Sequence, residues 1–188
     1  MSRNYCVFIL THGRADRVIT LDTLKKQGYS GNWMLVCDDE DKQLDDYISR
    51  FGEDKVAIFS KDEIEKKFDT MDTSKDRRTI VYARNVCYDI AEKYGYDYFI
   101  ELDDDYTSIE HRYIDGEKMR EKKAAKVAEL FECMFNFLDV SGAKVVALAQ
   151  GGDFIGGKNG TFFKKGLARK AMNCFFATQK SAFGGLAE

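Results

Sequence analysis

The chain of 188 residues contains no proline and only two histidines, His12 and His111. The absence of proline excludes every motif that requires it. Its five cysteines include no CxxC pair, and no cysteine–histidine cluster is present, which excludes an ordinary structural zinc site. Because the number of cysteines is odd and all of them lie in apolar runs, we expect small core residues in a reducing compartment rather than disulfides.

Several motifs of nucleotide and hydrolase chemistry are also missing. The sequence has no GxGxxG dinucleotide fingerprint, no GxxxxGK[ST] phosphate loop and no GxSxG nucleophile elbow. A net charge of −3 provides no global basic field for nucleic acid. No apolar run approaches a membrane span, and the run from Tyr5 to Leu10 is too short for a signal peptide. We therefore expect a cytoplasmic protein without a membrane partner.

The apolar residues that are present predict a single α/β domain over residues 1–188. Hydrophobic residues make up 44% of the chain, enough for an ordinary globular core. Segments with strand and helix patterns alternate, which indicates a doubly wound, mostly parallel sheet. The predicted strands are 5–10, 33–37, 55–59, 98–103, 145–149 and 173–178, and the helices are 16–27, 44–51, 60–68 (with a Ser60–Glu63 capping box), 80–94 and 127–138.

The most informative segment is the apolar strand from Tyr98 to Leu102, which ends in Asp103, Asp104 and Asp105. Neighbouring carboxylates raise one another's pKa, so this cluster is costly unless a cation neutralises it. Carboxylates are the ligands that Mg²⁺ and Mn²⁺ prefer, commonly together with the phosphates of a substrate. The segment therefore predicts a metal–phosphate site, and the alternative is a solvated acidic turn.

Other polar residues follow the predicted parallel strands and should meet at the same edge of the sheet. Thr11 to Arg14 follow the first strand, Asp38 and Asp39 follow the second, and Ser60 follows the third. Arg14, beside a helix start, suits phosphate, and Asp38 and Asp39 suit ribose hydroxyls or a base N–H. A surface arginine and two helix-capping aspartates are the alternatives.

Taken in order, these segments resemble the nucleotide-sugar glycosyltransferases of the GT-A fold, in particular the large inverting family 2. The matching segments are Phe8 to Arg14, Asp38-Asp39, Ala83-Arg84-Asn85, the DxD motif Asp103-Asp104-Asp105, and Gly184 to Glu188. The resemblance covers nearly the whole chain and implies a three-layer α/β/α sandwich. It also implies a nucleotide-sugar half (1–105) and an acceptor half (106–188), the latter shortened at Glu188, where an acidic pair begins in the family.

A narrower resemblance is to the phage glycosyltransferases associated with TET/JBP-type base oxygenases. It is supported by Thr11 to Arg14, by Met172 to Phe176 and by Phe183 to Gly185. This resemblance implies that the acceptor is a hydroxymethylated pyrimidine in DNA and that the protein acts in the host cytoplasm.

The resemblance implies the following roles. Mn²⁺ or Mg²⁺ is held by Asp105, with Asp103 as a second ligand or as a contact to the ribose. The catalytic base is expected in the acidic pair after Gly185, which makes Glu188 a candidate, and transfer inverts the anomeric centre. The donor, expected to be a UDP-sugar, is bound by Thr11, His12, Gly13, Arg14, Asp38, Asp39, Arg84, Asn85, Asp103 and Asp104.

Acceptor-side residues are expected in the glycine-rich segment that ends at Gly166 and just beyond it. We assign Lys164, Lys165, Arg169 and Asn173 to this role, because a DNA acceptor requires phosphate contacts. A second basic cluster, from Lys118 to Lys126, is better interpreted as a solvated helix face.

Three other functions remain open from the sequence. A sugar-1-phosphate nucleotidyltransferase has a similar sheet but requires a first loop with prolines. A non-catalytic relative would bind a nucleotide or a partner without turnover. A third alternative is a transferase that acts on polysaccharide or lipid-linked acceptors.

Overall fold

The computed structural model describes residues 3–67, 80–160 and 173–181. Its strands are Tyr5–Leu10 (β1), Asn32–Asp38 (β2), Val56–Phe59 (β3), Tyr98–Asp103 (β4), Glu110–Asp115 (β5), Lys118–Lys123 (β6), Val145–Ala147 (β7) and Phe175–Thr178 (β8). Its α-helices are Ile19–Lys26 (α1), Leu44–Phe51 (α2), Lys61–Glu65 (α3), Val81–Tyr94 (α4) and Val127–Ser141 (α5). Within these ranges, no helix is long and apolar enough to cross a bilayer.

Six strands form one mixed sheet in the order β3-β2-β1-β4-β8-β7. The pairs β3–β2, β2–β1 and β1–β4 are parallel, and β8 is antiparallel to both of its neighbours. In this register Leu10 lies opposite both Val36 and Asp103. The carboxyl ends of β1 to β4 therefore open on one edge, which confirms the mostly parallel sheet and the predicted convergence of the polar segments.

Alternate residues of β1 pack into two separate hydrophobic clusters, as the pleat of a strand requires. Val7 packs in a cluster that includes Tyr47 of α2 and Phe131 of α5. Phe8 packs in the other cluster, which includes Val86 of α4. Helices therefore cover both faces of the sheet, and the apolar run of β1 is fully buried because neither face meets water.

The hairpin of β5 and β6 lies outside the main sheet, and the sequence analysis did not predict it. The expected helix face at Lys118 to Lys126 is wrong, since Lys118–Lys123 is a strand paired with Glu110–Asp115. Most residues of the pair are exposed, so the sequence lacks the apolar alternation that indicates a half-buried strand. The available signal was Asp115-Gly116, a common hairpin turn, where Gly116 has a φ of 59°.

The buried side chain of Gln27 bonds to the base of this hairpin. Its amide donates to the carbonyl oxygens of Ile109 at 2.7 Å and Ala124 at 2.6 Å, and its oxygen accepts the N–H of Ile109 at 2.8 Å. The amide thus bonds the residue before β5 and the residue after β6, next to the end of α1. This arrangement satisfies the buried polar groups and fixes the base of the hairpin relative to α1.

Other local predictions have mixed outcomes. The last predicted strand is confirmed as Phe175–Thr178, whereas α1 begins at Ile19 rather than at Asp16. Ser60 precedes α3 with extended backbone, but its side chain makes no capping hydrogen bond, so the predicted capping box is wrong. Four cysteines are buried and free as expected, while Cys133 is exposed on α5. Residue 68, the last of the helix predicted at 60–68, lies outside the described residues.

We predict that Phe135→Ala lowers the free energy of unfolding by about 3–5 kcal/mol, because it leaves a cavity among well-packed rings. Phe135 is fully buried and lies 5.0 Å from Tyr5, 5.1 Å from Tyr98 and 5.4 Å from Phe176, between ring centroids. Urea unfolding measures the loss. Phe137→Ala on the same helix is the control, since Phe137 is 56% exposed; equal effects of the two substitutions would contradict this placement of α5.

Candidate functional site

A cavity of about 380 Å³ opens at the carboxyl edge of the four parallel strands. The four strand ends extend over about 14 Å, because neighbouring strands are about 4.8 Å apart. One end of the cavity is formed after β4 and the other after β2 and β3. The lining residues are Leu10, Thr11, His12, Arg14, Val36, Asp38, Phe59, Lys61, Ile80, Tyr82, Ala83, Asp103, Asp104 and Asp105.

The loop after β1 is fixed by the hydroxyl of Tyr47 on α2. This hydroxyl accepts the backbone N–H of Arg14 at 2.8 Å and lies 2.9 Å from Oγ1 of Thr11. Thr11 gives its own proton to Oδ2 of Asp104 at 2.6 Å, so Tyr47 must be the donor in the pair with Thr11. Burial raises the pKa of Tyr47 to about 12, so the phenol keeps its proton at neutral pH.

Asp104, the middle carboxylate after β4, points inward and is paired. Its side chain is 5% exposed and accepts Nη1 of Arg14 at 2.7 Å as well as the Thr11 hydroxyl. Arg14 also lies 3.7 Å from Oδ2 of Asp105, whose side chain is 65% exposed. Asp104 therefore holds the loop after β1 against the end of β4 and aims Arg14 at the exposed Asp105.

Asp103 is incompletely paired. Its Oδ1 is buried without a hydrogen-bond partner among the described residues, and the nearest guanidinium nitrogen, Nη2 of Arg84, is 3.9 Å away. Burial, together with the charges of Asp105 and Asp104, raises the pKa of Asp103, while the Asn173 side chain and Arg84 oppose this shift. An unpaired carboxylate oxygen beside an exposed carboxylate is a suitable arrangement for a cation.

Glu101, two residues earlier on β4, lies beneath this cluster. Burial raises the pKa of Glu101 to about 8, and the charge of Asp103 adds to this shift while Arg84 opposes it. Burial therefore favours the protonated form of this carboxyl group. Three acidic side chains, Asp103 to Asp105, lie at this end beside the guanidinium groups of Arg14 and Arg84.

The other end of the cavity contains Asp38 between two cationic or donor groups. Its Oδ2 lies 2.6 Å from Nδ1 of His12, and its Oδ1 lies 2.9 Å from Nζ of Lys61. Lys61 is almost fully buried and also contacts Glu40 at 3.2 Å. Although burial alone would raise it, the pKa of Asp38 is lowered by the Lys61 and His12 contacts, so Asp38 is a carboxylate.

The remaining predicted residues of the donor half take structural positions. Gly13 has a φ of 65° and donates its N–H to Asp41 at 2.7 Å. Asp39 accepts the backbone N–H of Lys61 at 3.2 Å, and Asn85 donates to the carbonyl of Val81 on its own helix. Arg84 is stacked over the ring of Phe175 at 4.8 Å behind Asp103. None of these four lines the cavity.

Three residues of the site were not found by sequence reasoning. Lys61 was overlooked because Ser60 and Glu63 fitted a capping pattern, although a lysine directly after a strand at this edge is a usable signal. Tyr47 lies in the helix predicted at 44–51, and its ring packs in the core, but no sequence pattern indicates a partner for its hydroxyl. No sequence signal indicates Asp41, because it belongs to no motif and accepts the N–H of Gly13 only in the folded protein.

A second cavity, of about 460 Å³, lies between the β5–β6 hairpin and the segment after β7. Asn173, the one predicted acceptor-side residue within the described ranges, lines it. The Asn173 oxygen accepts the amide of Gln150, and its side chain is hydrogen-bonded to Asp103. Asn173 thus connects the second cavity to the carboxylates of the first. Lys164, Lys165, Arg169 and Glu188 lie outside the described residues.

An open α/β sheet with a charged cavity outside the carboxyl ends of its strands is typical of proteins that bind nucleotides or related phosphorylated ligands. The model of one family, the TET-associated glycosyltransferases, matches residues 5–184. Since this match covers almost the whole chain, the protein belongs to that family and is a glycosyltransferase. The narrower resemblance noted from the sequence is thereby confirmed. No curated protein shows a significant match to the chain.

We predict that Tyr47→Phe lowers the free energy of unfolding by about 1–3 kcal/mol, because the Arg14 N–H and the Thr11 oxygen lose a buried partner. The Phe ring preserves the packing of α2, so the loss isolates the hydroxyl. Urea unfolding at neutral pH provides the measurement. Tyr113→Phe, at a residue that is 48% exposed, serves as the control; a Tyr47→Phe variant as stable as this control would show that the hydroxyl does not support the loop.

Proposed function

We propose that this glycosyltransferase has the three-layer GT-A fold and transfers a sugar from a nucleotide-sugar, expected to be a UDP-sugar, with the aid of Mn²⁺ or Mg²⁺. The observation that carries the proposal is the two-ended cavity across β1 to β4. Its β4 end contains clustered carboxylates and Arg14, and its β2–β3 end contains Asp38, His12 and Lys61. A nucleoside diphosphate has a matching order of groups, with phosphates at one end and a hydrogen-bonding base at the other.

The β4 end fits a divalent ion held jointly by protein and substrate. Asp105 is exposed, and Asp103 has a buried oxygen without a hydrogen-bond partner among the described residues. No three His, Cys, Asp or Glu side chains in the described ranges form a metal site by themselves. Ions such as Mg²⁺ commonly take one or two carboxylates together with substrate phosphates. When bound, the ion supplies positive charge for the departing diphosphate.

The chain's own residues position the donor for this reaction. Arg14 is fixed by Asp104 yet remains 46% exposed in its side chain, so it can bind a phosphate without losing its anchor. A charge that is already held in place stabilises the negative charge that develops on the leaving group, and the protein does not have to reorganise during the reaction. Thr11 and Asp103 line the same cavity as Arg14.

The acceptor hydroxyl would form a bond to the anomeric carbon while the bond from that carbon to the diphosphate oxygen breaks. Its proton must pass to a base. Glu188 remains the candidate from the resemblance, and single displacement with inversion remains a proposal.

We place the acceptor at the second cavity, because Asp103 lines the first cavity and its partner Asn173 lines the second. Transfer requires donor and acceptor to be adjacent. The second cavity is also lined by Phe154, whose ring centroid lies 5.3 Å from the guanidinium carbon of Arg112. A hydroxymethylated pyrimidine in DNA, as the resemblance implies, fits this chemistry, and the exposed lysines of β6 lie on the same hairpin as the cavity wall.

We predict that Asp105→Asn reduces the Mn²⁺-dependent release of UDP from UDP-sugars by about 100-fold or more, because the leaving group loses charge stabilisation. Thin-layer or coupled-enzyme detection of UDP measures the release. Asp115→Asn is the matched control, because Asp115 has the same 65% exposure and also lies near an arginine. Full activity in Asp105→Asn, or equal losses in both variants, would exclude the proposed role of Asp105.

We predict that Lys122→Glu combined with Lys123→Glu weakens binding of hydroxymethylated DNA and reduces its salt dependence, because phosphate contacts release counterions. Fluorescence anisotropy over a salt series measures both effects. Lys25→Glu combined with Lys26→Glu, an equal change of charge on exposed residues of α1, is the control. Binding that is insensitive to salt, or equally weakened by both pairs, argues against a DNA acceptor at this hairpin.

A further inference from the structure

The nucleotide end of the cavity offers His12, rather than Asp38, to a ligand. Asp38 has 7% exposure in its side chain, and its two oxygens face Nδ1 of His12 and Nζ of Lys61. His12 is 53% exposed in its side chain and lines the same cavity. A base that enters this end therefore meets the imidazole ring before it meets the carboxylate.

The contacts of His12 fix which ring nitrogen carries the proton. Nδ1 lies 2.6 Å from Oδ2 of Asp38 and 3.8 Å from Oδ2 of Asp41, and both are carboxylate oxygens that only accept hydrogen bonds. Nδ1 must therefore be the N–H donor in the neutral ring. In the neutral ring Nε2 then has a lone pair and no hydrogen, so it can accept a hydrogen bond from a ligand in the cavity that His12 lines.

We infer that Nε2 of His12 selects the nucleobase of the donor by accepting a ring N–H, so that uracil or guanine is bound in preference to cytosine or adenine. This inference rests on the proposed function and adds the base class to it. Uracil and cytosine have nearly the same size and differ at ring position 3, where uracil has an N–H and cytosine has a lone pair. Cytosine would place two lone pairs against each other.

The preference for the base depends on Asp38, because Asp38 determines which nitrogen of His12 carries the proton. A substitution at Asp38 should reverse this preference, since Lys61 fixes the orientation of the new side chain. In Asp38→Asn, an amide NH₂ cannot face the ammonium group of Lys61, because both groups are donors, so the amide oxygen faces Lys61. The amide NH₂ then faces Nδ1 of His12, which becomes the acceptor, and the proton moves to Nε2. His12 would then donate to the base, and cytosine would become the better ligand.

The test is calorimetric titration of UDP and CDP in the presence of Mn²⁺, at about pH 8, where an ordinary imidazole is neutral. The wild-type protein should bind UDP about tenfold or more tightly than CDP, because one buried hydrogen bond is exchanged for an unpaired group. His12→Ala should bring the two affinities together by weakening UDP. Asp38→Asn should favour CDP.

Nitrogen NMR of histidine-labelled protein gives an independent measurement, which does not require ligand. With only His12 and His111 present, the signals lost in His12→Ala identify those of His12. The protonated nitrogen should be Nδ1 in the wild type and Nε2 in Asp38→Asn, and this result supports the inference even if either variant loses affinity.

Four results would overturn the inference. They are equal binding of UDP and CDP by the wild type, an unchanged preference in His12→Ala, an unchanged preference in Asp38→Asn, and a His12 protonated on Nε2 in the wild type. These results leave the proposed function intact. Failure of any nucleotide to bind would overturn the proposed function together with the inference.

Discussion

The site depends on one buried interaction, the carboxylate of Asp104 with the guanidinium group of Arg14 and the hydroxyl of Thr11. It joins the residues that follow β1 to those that follow β4, two strands that are adjacent and parallel in the sheet. Without it, three consecutive carboxylates would repel one another with no fixed geometry. With it, Asp104 is neutralised inside the protein, while Asp103 and Asp105 remain for a ligand. The acidic cluster is therefore divided between a structural residue and two available ones.

The same division of roles is present at the opposite end of the cavity. Asp38 is held by Lys61 and His12, and Lys61 is itself buried against Glu40. In both places an inner carboxylate orients a partly exposed basic side chain, Arg14 at one end and His12 at the other. In the proposed complex, the geometry of the exposed group is set before the ligand binds. Pre-organisation of this kind lowers the entropy lost when a substrate binds and reacts.

Sequence reasoning found the parts of this arrangement that depend on local pattern. The buried runs of β1, β2 and β4 and the polar residues that follow them were predicted because parallel strands impose a common edge. The individual roles within the acidic cluster were not predicted, since no local pattern distinguishes Asp104 from its neighbours. No local pattern indicates a partner in another segment for the Tyr47 hydroxyl either. The β5–β6 hairpin was missed because its exposed strands lack apolar alternation. Lys61 was missed because a helix-cap pattern accounted for the residues on either side of it.

The membership of the chain in the TET-associated glycosyltransferases establishes the class of reaction. Of the predicted donor-side residues, the cavity is lined by Thr11, His12, Arg14, Asp38, Asp103 and Asp104. The central claim is that Asp103 and Asp105 hold a divalent ion against the diphosphate of the donor. A crystal structure with Mn²⁺ and UDP, with data collected for the anomalous signal of manganese, tests it most directly. The account predicts an anomalous peak shared by the Asp105 carboxylate and the phosphates, with the uracil near His12. Phosphates bound in the cavity with no manganese at Asp103 or Asp105, or UDP bound elsewhere, would contradict it.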